Sequence, residues 1–229
     1  MNFATKDFNV STVESTIQPI SPKSLSQGED PIIFGDIYRE EINIVVWKRD
    51  LSMELQKTIT EFLLDKPNFQ TSLSVTPGNV SSSLHKVMGA TERPMLVDDI
   101  AQIVDIFCYL HETSGVGLRL SSLDRAMCPK FHVDRIPCRL VTTYQGVATE
   151  WLAHGAVDRT KLGMGSGGLP DNESGLYQHP SDIQQLHCGD VALLKGETWF
   201  NNENAGLVHR SPTVARAQKR LLLTLDFLG

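Results

Sequence analysis

Few cysteines occur in this 229-residue chain, and nothing in their spacing pairs them. The four are Cys108, Cys128, Cys138 and Cys188, which are irregularly separated and include no Cys-x-x-Cys pair. Such spacing is typical of reduced thiols in a cytosolic protein and argues against a disulfide framework or a zinc finger. We therefore expect a cytoplasmic protein in which the cysteines are not catalytic.

An excess of positive charge is also missing. The chain has 21 Lys and Arg against 27 Asp and Glu, a formal net charge of −6, and no basic run interleaved with aromatic residues. This composition argues against nucleic acid as a partner. The first thirty residues lack the charged start and the long apolar stretch of a signal peptide or membrane helix, so no membrane partner is expected either. The expected partner is a substrate, in the simplest case a small molecule.

The composition fits one main domain with an N-terminal attachment. With 41% apolar residues, a chain of this length can bury one sizeable core. Residues 1–30 are polar and aperiodic, which predicts a flexible leader. Residues 31–116 predict an N-terminal strand and helical support region, and residues 117–229 predict a β-rich core that forms a single domain with it.

The support region shows one apolar strand and two clear amphipathic helices. Residues 42–47 are β-branched and apolar, and Asp50 then stands where a helix N-cap is expected, ahead of a helix that stops near Pro67. Residues 68–94 predict mostly loop, with a short helix from about Ser82 to Met88. A second helix follows, because apolar residues recur at steps of three and four up to Ser114-Gly115. Its stripe is Leu96, Ile100, Ile103, Phe107 and Leu110.

After Gly117 short β-rich runs separated by Gly, Pro, Asn and Asp replace the helical periodicity. The predicted strands are 117–123, 131–134, 138–144, 148–152, 189–194, 207–210 and 220–227. Many short strands at close spacing predict a jelly roll, so the expected fold class is α+β: a cupin-like double-stranded β-helix with the N-terminal helices packed on it. Residues 153–187, which include a glycine-rich run at 163–168, predict a long insertion that acts as a lid.

Three side chains are candidate metal ligands. In His132-Val133-Asp134 the histidine and the carboxylate are two residues apart, so on a strand they point to the same face. His209 is the best placed of the other histidines to reach the same ion from a distant strand. Two histidines and one carboxylate leave coordination positions open, as non-haem Fe(II) enzymes need for substrate and dioxygen.

The order of motifs resembles the superfamily of Fe(II)- and 2-oxoglutarate-dependent dioxygenases. The Gly-Asp-Val-Ala-Leu-Leu-Lys-Gly run at 189–196 resembles the turn and strand before the second histidine of cupin-type barrels, with Gly189 in the turn. Arg220 lies eleven residues beyond His209. The resemblance implies that such a basic residue binds the far carboxylate of 2-oxoglutarate, since a guanidinium fork matches a carboxylate.

Other side chains compete with Arg220 for that role. Arg210 and Arg216 flank the same segment, while Arg139 and Tyr144 lie on the strand that follows the His-x-Asp motif. Whether Arg139 and Tyr144 point into the barrel depends on a register that a one-residue slip would reverse. We expect Tyr144 to contact the co-substrate.

A closer resemblance covers roughly residues 30–229. It rests on Cys-Pro-Lys-Phe-His-Val-Asp at 128–134, Thr-Tyr-Gln-Gly at 143–146 with Thr-Glu-Trp-Leu at 149–152, and His-Arg-Ser-Pro at 209–212. These blocks resemble those of an uncharacterised bacterial domain family. The resemblance implies an oxygenase-type metal barrel with an unknown substrate, because fold analogy does not supply the chemistry.

The leading hypothesis is an oxygenase that uses Fe(II) and 2-oxoglutarate, with His132, Asp134 and His209 as its catalytic metal ligands. A non-catalytic divalent-metal protein for sensing or homeostasis, holding zinc or iron, is the alternative, and a metal-dependent isomerase or hydrolase is a third hypothesis.

A thiolate zinc site built from His187-Cys188, Asp190 and Cys128 would require those cysteines to converge. Glu150 and Trp151 are secondary candidates for a general-base site. A glutamate at a strand end is usually solvated, however, and a tryptophan usually lies in the core.

Overall fold

The computed structural model describes residues 22–89 and 93–228, which form strands, three α-helices and short 3₁₀ helices. The strands are β1 (Ser24–Gly28), β2 (Ile42–Trp47), β3 (Gln70–Val75), β4 (Val116–Leu123), β5 (Cys138–Gln145), β6 (Glu150–Leu152), β7 (Ile183–Gln185), β8 (Val191–Lys195), β9 (Val208–Arg210) and β10 (Arg220–Phe227). The α-helices are α1 (Met53–Asp65), α2 (Val80–Met88) and α3 (Pro94–Leu110). No helix in these residues is both long and apolar enough to cross a membrane.

Two sheets organise the molecule. The larger has seven strands in the order β1-β2-β8-β5-β10-β4-β3, and the smaller has three in the order β7-β6-β9. From β5 onward the chain passes from one sheet to the other and back, and β10 returns to the centre of the large sheet between β4 and β5. The prediction of a mixed fold with a β-rich core and N-terminal helices is confirmed.

The central strands of the large sheet are buried on both faces. One face packs against the three α-helices in a core that contains Leu140, Leu193 and Leu223. The other face packs against the small sheet through Val141 and Trp151 among others. Burial on both faces explains why β2 and β8 read as continuous apolar runs, because neither face of these strands meets water.

Several element predictions need correction. Ser24–Gly28, predicted as part of a flexible leader, form β1 and pair in parallel with β2; the rest of that leader up to residue 21 lies outside the described residues. Gln70–Val75, predicted as loop, form the edge strand β3. Its exposed and covered positions alternate, but only Leu73 and Val75 are apolar, so the pattern is weak in the sequence. The predicted strand at 131–134 forms only a single bridge, at His132. Helix α1 is capped by Ser52 and not by Asp50, since the Ser52 hydroxyl accepts a hydrogen bond from the Leu55 amide.

The predicted lid over residues 153–187 has a different position. This segment packs on the outer face of the small sheet, where Leu176 joins Leu152 and Val208 in a separate apolar cluster. The Asp171 carboxylate fastens it by accepting hydrogen bonds from the Phe131 amide at 2.9 Å and from Arg210 at 3.2 Å. Residues 153–182 therefore cover the back of the small sheet, whereas Ile183–Gln185 form β7 of that sheet and Leu186 lies in the apolar cluster between the sheets.

His111 follows α3 and lies among aromatic rings. Its ring centroid is 4.6 Å from that of Phe107 and 5.0 Å from that of Phe227, and its Nδ1 is 3.0 Å from the Tyr38 hydroxyl. Its buried Nε2 has no hydrogen-bond partner in the described residues. Burial lowers the pKa of His111 to about 4, because the charged ring would lose its hydration.

This pKa predicts a pH dependence of stability. An ordinary histidine binds its proton near pH 6.5, so between about pH 6.5 and about pH 4 the unfolded chain binds more protons at this position, and the free energy of unfolding falls as the pH drops. We expect the wild type to lose about 2–3 kcal/mol more than His111→Phe between neutral pH and about pH 4. Urea denaturation across this range measures the difference; parallel curves for the two proteins would contradict it.

Candidate metal centre

His132 and His209 face each other across a two-residue bridge. The amide of each donates to the carbonyl of the other at 3.0 Å, which adds the His132 segment to the free edge of β9. Directly opposed residues of an antiparallel pair point to the same side. The two imidazole centroids are accordingly 4.7 Å apart.

Asp134 completes the cluster. One carboxylate oxygen, Oδ1, lies 3.7 Å from Nε2 of His132, and the other, Oδ2, lies 3.4 Å from Nε2 of His209. One potential ligand atom from each of the three residues lies within 4.8 Å of the others, and they form the one group of this kind in the described part of the chain. The structure thus brings together the three side chains that the sequence selects.

Hydrogen bonds orient both imidazoles for ligation. Nδ1 of His132 lies 2.9 Å from the Lys130 carbonyl, and Nδ1 of His209 lies 3.2 Å from the Leu207 carbonyl. A carbonyl only accepts, so each Nδ1 carries the hydrogen and a neutral ring presents the lone pair of Nε2 to the carboxylate. The lone pairs of the two Nε2 atoms and of the Asp134 carboxylate therefore repel one another, and a cation bound between these atoms would attract all of them.

The protonation states suit a cation as well. Burial and the neighbouring His209 lower the pKa of His132, which keeps that ring neutral. Burial alone would raise the pKa of Asp134, but the surrounding charges, including that of Arg139, lower it to about 2. A neutral imidazole and an ionised carboxylate are the forms that bind metals.

The two histidines line a cavity of about 110 Å³. The rest of its wall is built mainly from side chains of β4, β5 and β10, and residues between strands complete it: Met127, Cys128, Thr149 and Ser211. Residues of segment 153–187 do not contribute to it, in agreement with their position behind the small sheet.

Arg220 also lines this cavity and is 1% exposed. One terminal nitrogen, Nη2, donates to the hydroxyls of Thr143 at 3.1 Å and Thr149 at 2.8 Å. Its Nε has no partner in the described residues, and the carboxylate of Glu150, whose charge it feels, is bonded to Arg210. Burial lowers the pKa of Arg220 to about 10, because no carboxylate compensates the charge. A buried guanidinium without a carboxylate partner can bind an anionic ligand.

Arg139 lines the cavity too, but carboxylates already occupy it. Its Nη1 donates to Oδ2 of Asp134 at 2.8 Å, while Nε and Nη2 donate to the two oxygens of Asp226 at 2.7 and 3.0 Å. Arg119 donates to the same Asp226 at 2.8 Å. Arg139 is therefore a hydrogen-bond partner of Asp134. The geometry does not favour its predicted role of binding the co-substrate, since its guanidinium is already paired with Asp134 and Asp226.

The predictions for Tyr144 and Arg210 need correction. Along β5, Arg139 and Val141 line the cavity and Thr143 bonds to Arg220 on the same side. Tyr144 faces the helices instead, where its hydroxyl donates to Asp99 at 2.6 Å. Arg210 follows His209 in β9 and so points to the outer face, where it donates to Glu150 at 2.6 Å. Neither side chain lines the cavity, and neither does the exposed Arg216.

The remaining candidates take structural positions. Glu150 serves as the partner of Arg210, and Trp151 packs between the sheets. Cys188 contacts the Tyr144 carbonyl at 3.2 Å, and no cluster of the described residues joins it to Cys128, so the thiolate zinc site is wrong. Three hydroxyls around Arg220 were not predicted, those of Thr143, Thr149 and Ser211, although all three residues lie in the sequence motifs at 143–146, 149–152 and 209–212. Gly189 has the φ of +95° that the predicted turn requires.

Fold and site together define a class: a mixed α/β protein in which a seven-stranded sheet faces a smaller one, with a two-histidine, one-carboxylate cluster between them. The sequence matches, over residues 28–226, the family described as protein of unknown function (DUF1826). The chain belongs to this family, and the predicted membership of an uncharacterised family is confirmed. Among curated proteins none matches.

Solved structures resemble the fold at low sequence identity. The dioxygenase for auxin oxidation of rice superposes with a TM-score of 0.52 and 11% identity, over 90% of this chain and 83% of that one. Its Arabidopsis thaliana counterpart, in complex with 2-oxoglutarate, gives 0.49 and 10%, over 90% and 92%. A Pseudomonas putida prolyl-4-hydroxylase gives 0.44 and 9%, over 87% and 99%. The likeness to the rice protein shows a shared fold.

Proposed function

We propose that this protein is a non-haem oxygenase that uses Fe(II) and 2-oxoglutarate to hydroxylate a substrate not yet identified. One observation supports the proposal most strongly: the two histidines of a convergent His-Asp-His cluster line the same small cavity as a buried arginine that has no carboxylate partner. The two sheets correspond, in this proposal, to the two halves of a double-stranded β-helix. The fold shared with a rice dioxygenase supports it.

The donor set suits Fe(II). His132 and His209 would contribute one nitrogen each and Asp134 one oxygen, which is the ligand set of the non-haem iron oxygenases. No thiol takes part in the cluster, in contrast to most structural zinc sites. When bound, Fe(II) would supply dioxygen activation, with 2-oxoglutarate giving up two electrons as it is converted to succinate and carbon dioxide.

The chain's own residues would bind and orient the co-substrate. Arg220 would bind the distal carboxylate of 2-oxoglutarate through charge-assisted hydrogen bonds. Thr143 and Thr149 hold its guanidinium in the cavity, so the arginine is oriented before the anion arrives. The low exposure of this position excludes water, which strengthens an ion pair.

A non-catalytic metal protein explains the three ligands but not Arg220. Storage or sensing of zinc needs no buried arginine beside the metal, and the positive charge of that arginine would weaken the binding of a metal cation. An isomerase or hydrolase would work without dioxygen, so oxygen dependence distinguishes it. We further propose a cytoplasmic protein with a small-molecule substrate, in line with four cysteines that are all free.

Anaerobic titration tests the proposal. Addition of 2-oxoglutarate to the Fe(II)-loaded protein is expected to produce a weak visible charge-transfer band, because the keto acid binds the metal through two oxygens. Succinate, which lacks the keto group, serves as the control and should give no band. A folded, iron-loaded protein that develops no band with 2-oxoglutarate would contradict the proposal.

A further inference from the structure

Asp134 lies where the backbone does little to fix its side chain. The bridge to β9 ends at His132, and the residues that follow, up to Pro137, are irregular. Both imidazoles are more than 3.3 Å from the carboxylate. The one short hydrogen bond to this carboxylate in the described residues comes from Arg139, at 2.8 Å to Oδ2.

Arg139 is itself held firmly. Its other edge forms a two-bond fork with Asp226, at 2.7 and 3.0 Å, and the Asp226 side chain is only 14% exposed. Asp226 lies on β10, the strand that begins with Arg220. A guanidinium anchored on one side has little freedom on the other, so Arg139 presents Nη1 to Asp134 from a fixed position.

We propose that Arg139 is a positioning residue: it holds Oδ2 of Asp134 so that only Oδ1 is offered to the metal. The inference rests on the metal site of the proposed function. A carboxylate that bound through both oxygens would occupy a coordination position that the keto acid or dioxygen needs. Arg139 would thus keep that position open, as partners of metal ligands orient the ligands in other proteins.

Positioning and simple electrostatics predict opposite effects. If the charge of Arg139 mattered only through repulsion of the metal, its removal would tighten metal binding. If Arg139 orients Asp134, its removal leaves a carboxylate that metal binding must first order, and this cost weakens binding by about 10- to 100-fold even where both oxygens can reach the metal. The sign of the change therefore decides between them.

The experiment uses Co(II), added to the full-length metal-free protein without 2-oxoglutarate. Arg139→Met and Arg139→Lys are both expected to raise the Co(II) dissociation constant by about 10- to 100-fold and to change the visible Co(II) spectrum, which reports coordination number. Lysine retains the charge but cannot bridge Asp134 and Asp226 at once. Should the methionine variant fail to fold, the lysine variant carries the test.

Arg49→Lys is the matched control. Arg49 forms a fork with Asp99 on the helix side of the large sheet, and both side chains are about as buried as those of the Arg139 pair. This variant loses the same kind of two-bond fork and should keep the wild-type Co(II) affinity and spectrum. Tighter or unchanged binding with an unchanged spectrum in both Arg139 variants overturns the inference alone, whereas a wild type that binds no Co(II) overturns the metal site as well.

Discussion

Replacement of His209 by alanine is expected to abolish metal binding and, with it, any iron-dependent activity. The change removes one of three ligands and leaves a site with one nitrogen and one carboxylate. Loss of a ligand should weaken affinity by more than the 10- to 100-fold typical of residues that only orient ligands. Equilibrium titration with Co(II) or Fe(II), followed by visible absorption, measures the effect.

A suitable control is His187→Ala, since the His187 side chain is 82% exposed and lies outside the cluster. This variant should bind metal like the wild type. Circular dichroism would establish that both variants are folded. Wild-type metal affinity in a folded His209→Ala protein would contradict the assignment of this histidine as a ligand.

Replacement of Arg220 by methionine is expected to separate co-substrate binding from metal binding. Each hydrogen bond to a charged group contributes about 1.5–3 kcal/mol, so the loss of a two-bond grip should weaken 2-oxoglutarate binding by about 100-fold or more. The metal ligands are untouched, and Co(II) affinity should persist. Titration of 2-oxoglutarate into the Fe(II)-loaded variant measures the loss.

The same substitution should not cost stability in the absence of ligands. Arg220 is a buried cation without a carboxylate partner, and burial lowers its pKa to about 10. An apolar side chain of similar length removes that desolvation cost, so the free energy of unfolding should stay the same or rise. The wild type thus retains an arginine whose position favours ligand binding over stability.

Arg210→Met provides the contrast. Arg210 pairs with Glu150 and Asp171 on the outer face of the small sheet, so its loss leaves two carboxylates unpaired and should lower stability while 2-oxoglutarate affinity persists. An Arg220→Met protein that keeps its 2-oxoglutarate affinity would favour the non-catalytic metal protein instead.

The convergence of His132, Asp134 and His209 can be predicted from the sequence for a physical reason. Residues two apart on an extended chain share a face, and although only His132 pairs with β9, Asp134 reaches the same cluster. The apolar run at 191–195 is a core strand, and a histidine in the next strand after it, His209, points to the same cavity. Local geometry and the order of strands therefore suffice to select the three residues.

The sequence predicts the surroundings of that cluster less well. In β5 both faces are buried, so polarity does not tell which side chains face the cavity, and a shift of one residue exchanges Tyr144 for Thr143. The position of segment 153–187 depends on long-range contacts, such as those of Asp171 with Phe131 and Arg210, that no local pattern contains. The hydroxyls around Arg220 likewise come from three separate segments.

A crystal structure with Mn(II), as a redox-stable substitute for Fe(II), and 2-oxoglutarate would show the proposed site itself. We expect an anomalous peak ligated by both imidazole Nε2 atoms and by Oδ1 of Asp134, with the keto acid on the metal and its far carboxylate on Arg220. A metal bound elsewhere, or a keto acid that leaves Arg220 without an anion, would contradict it.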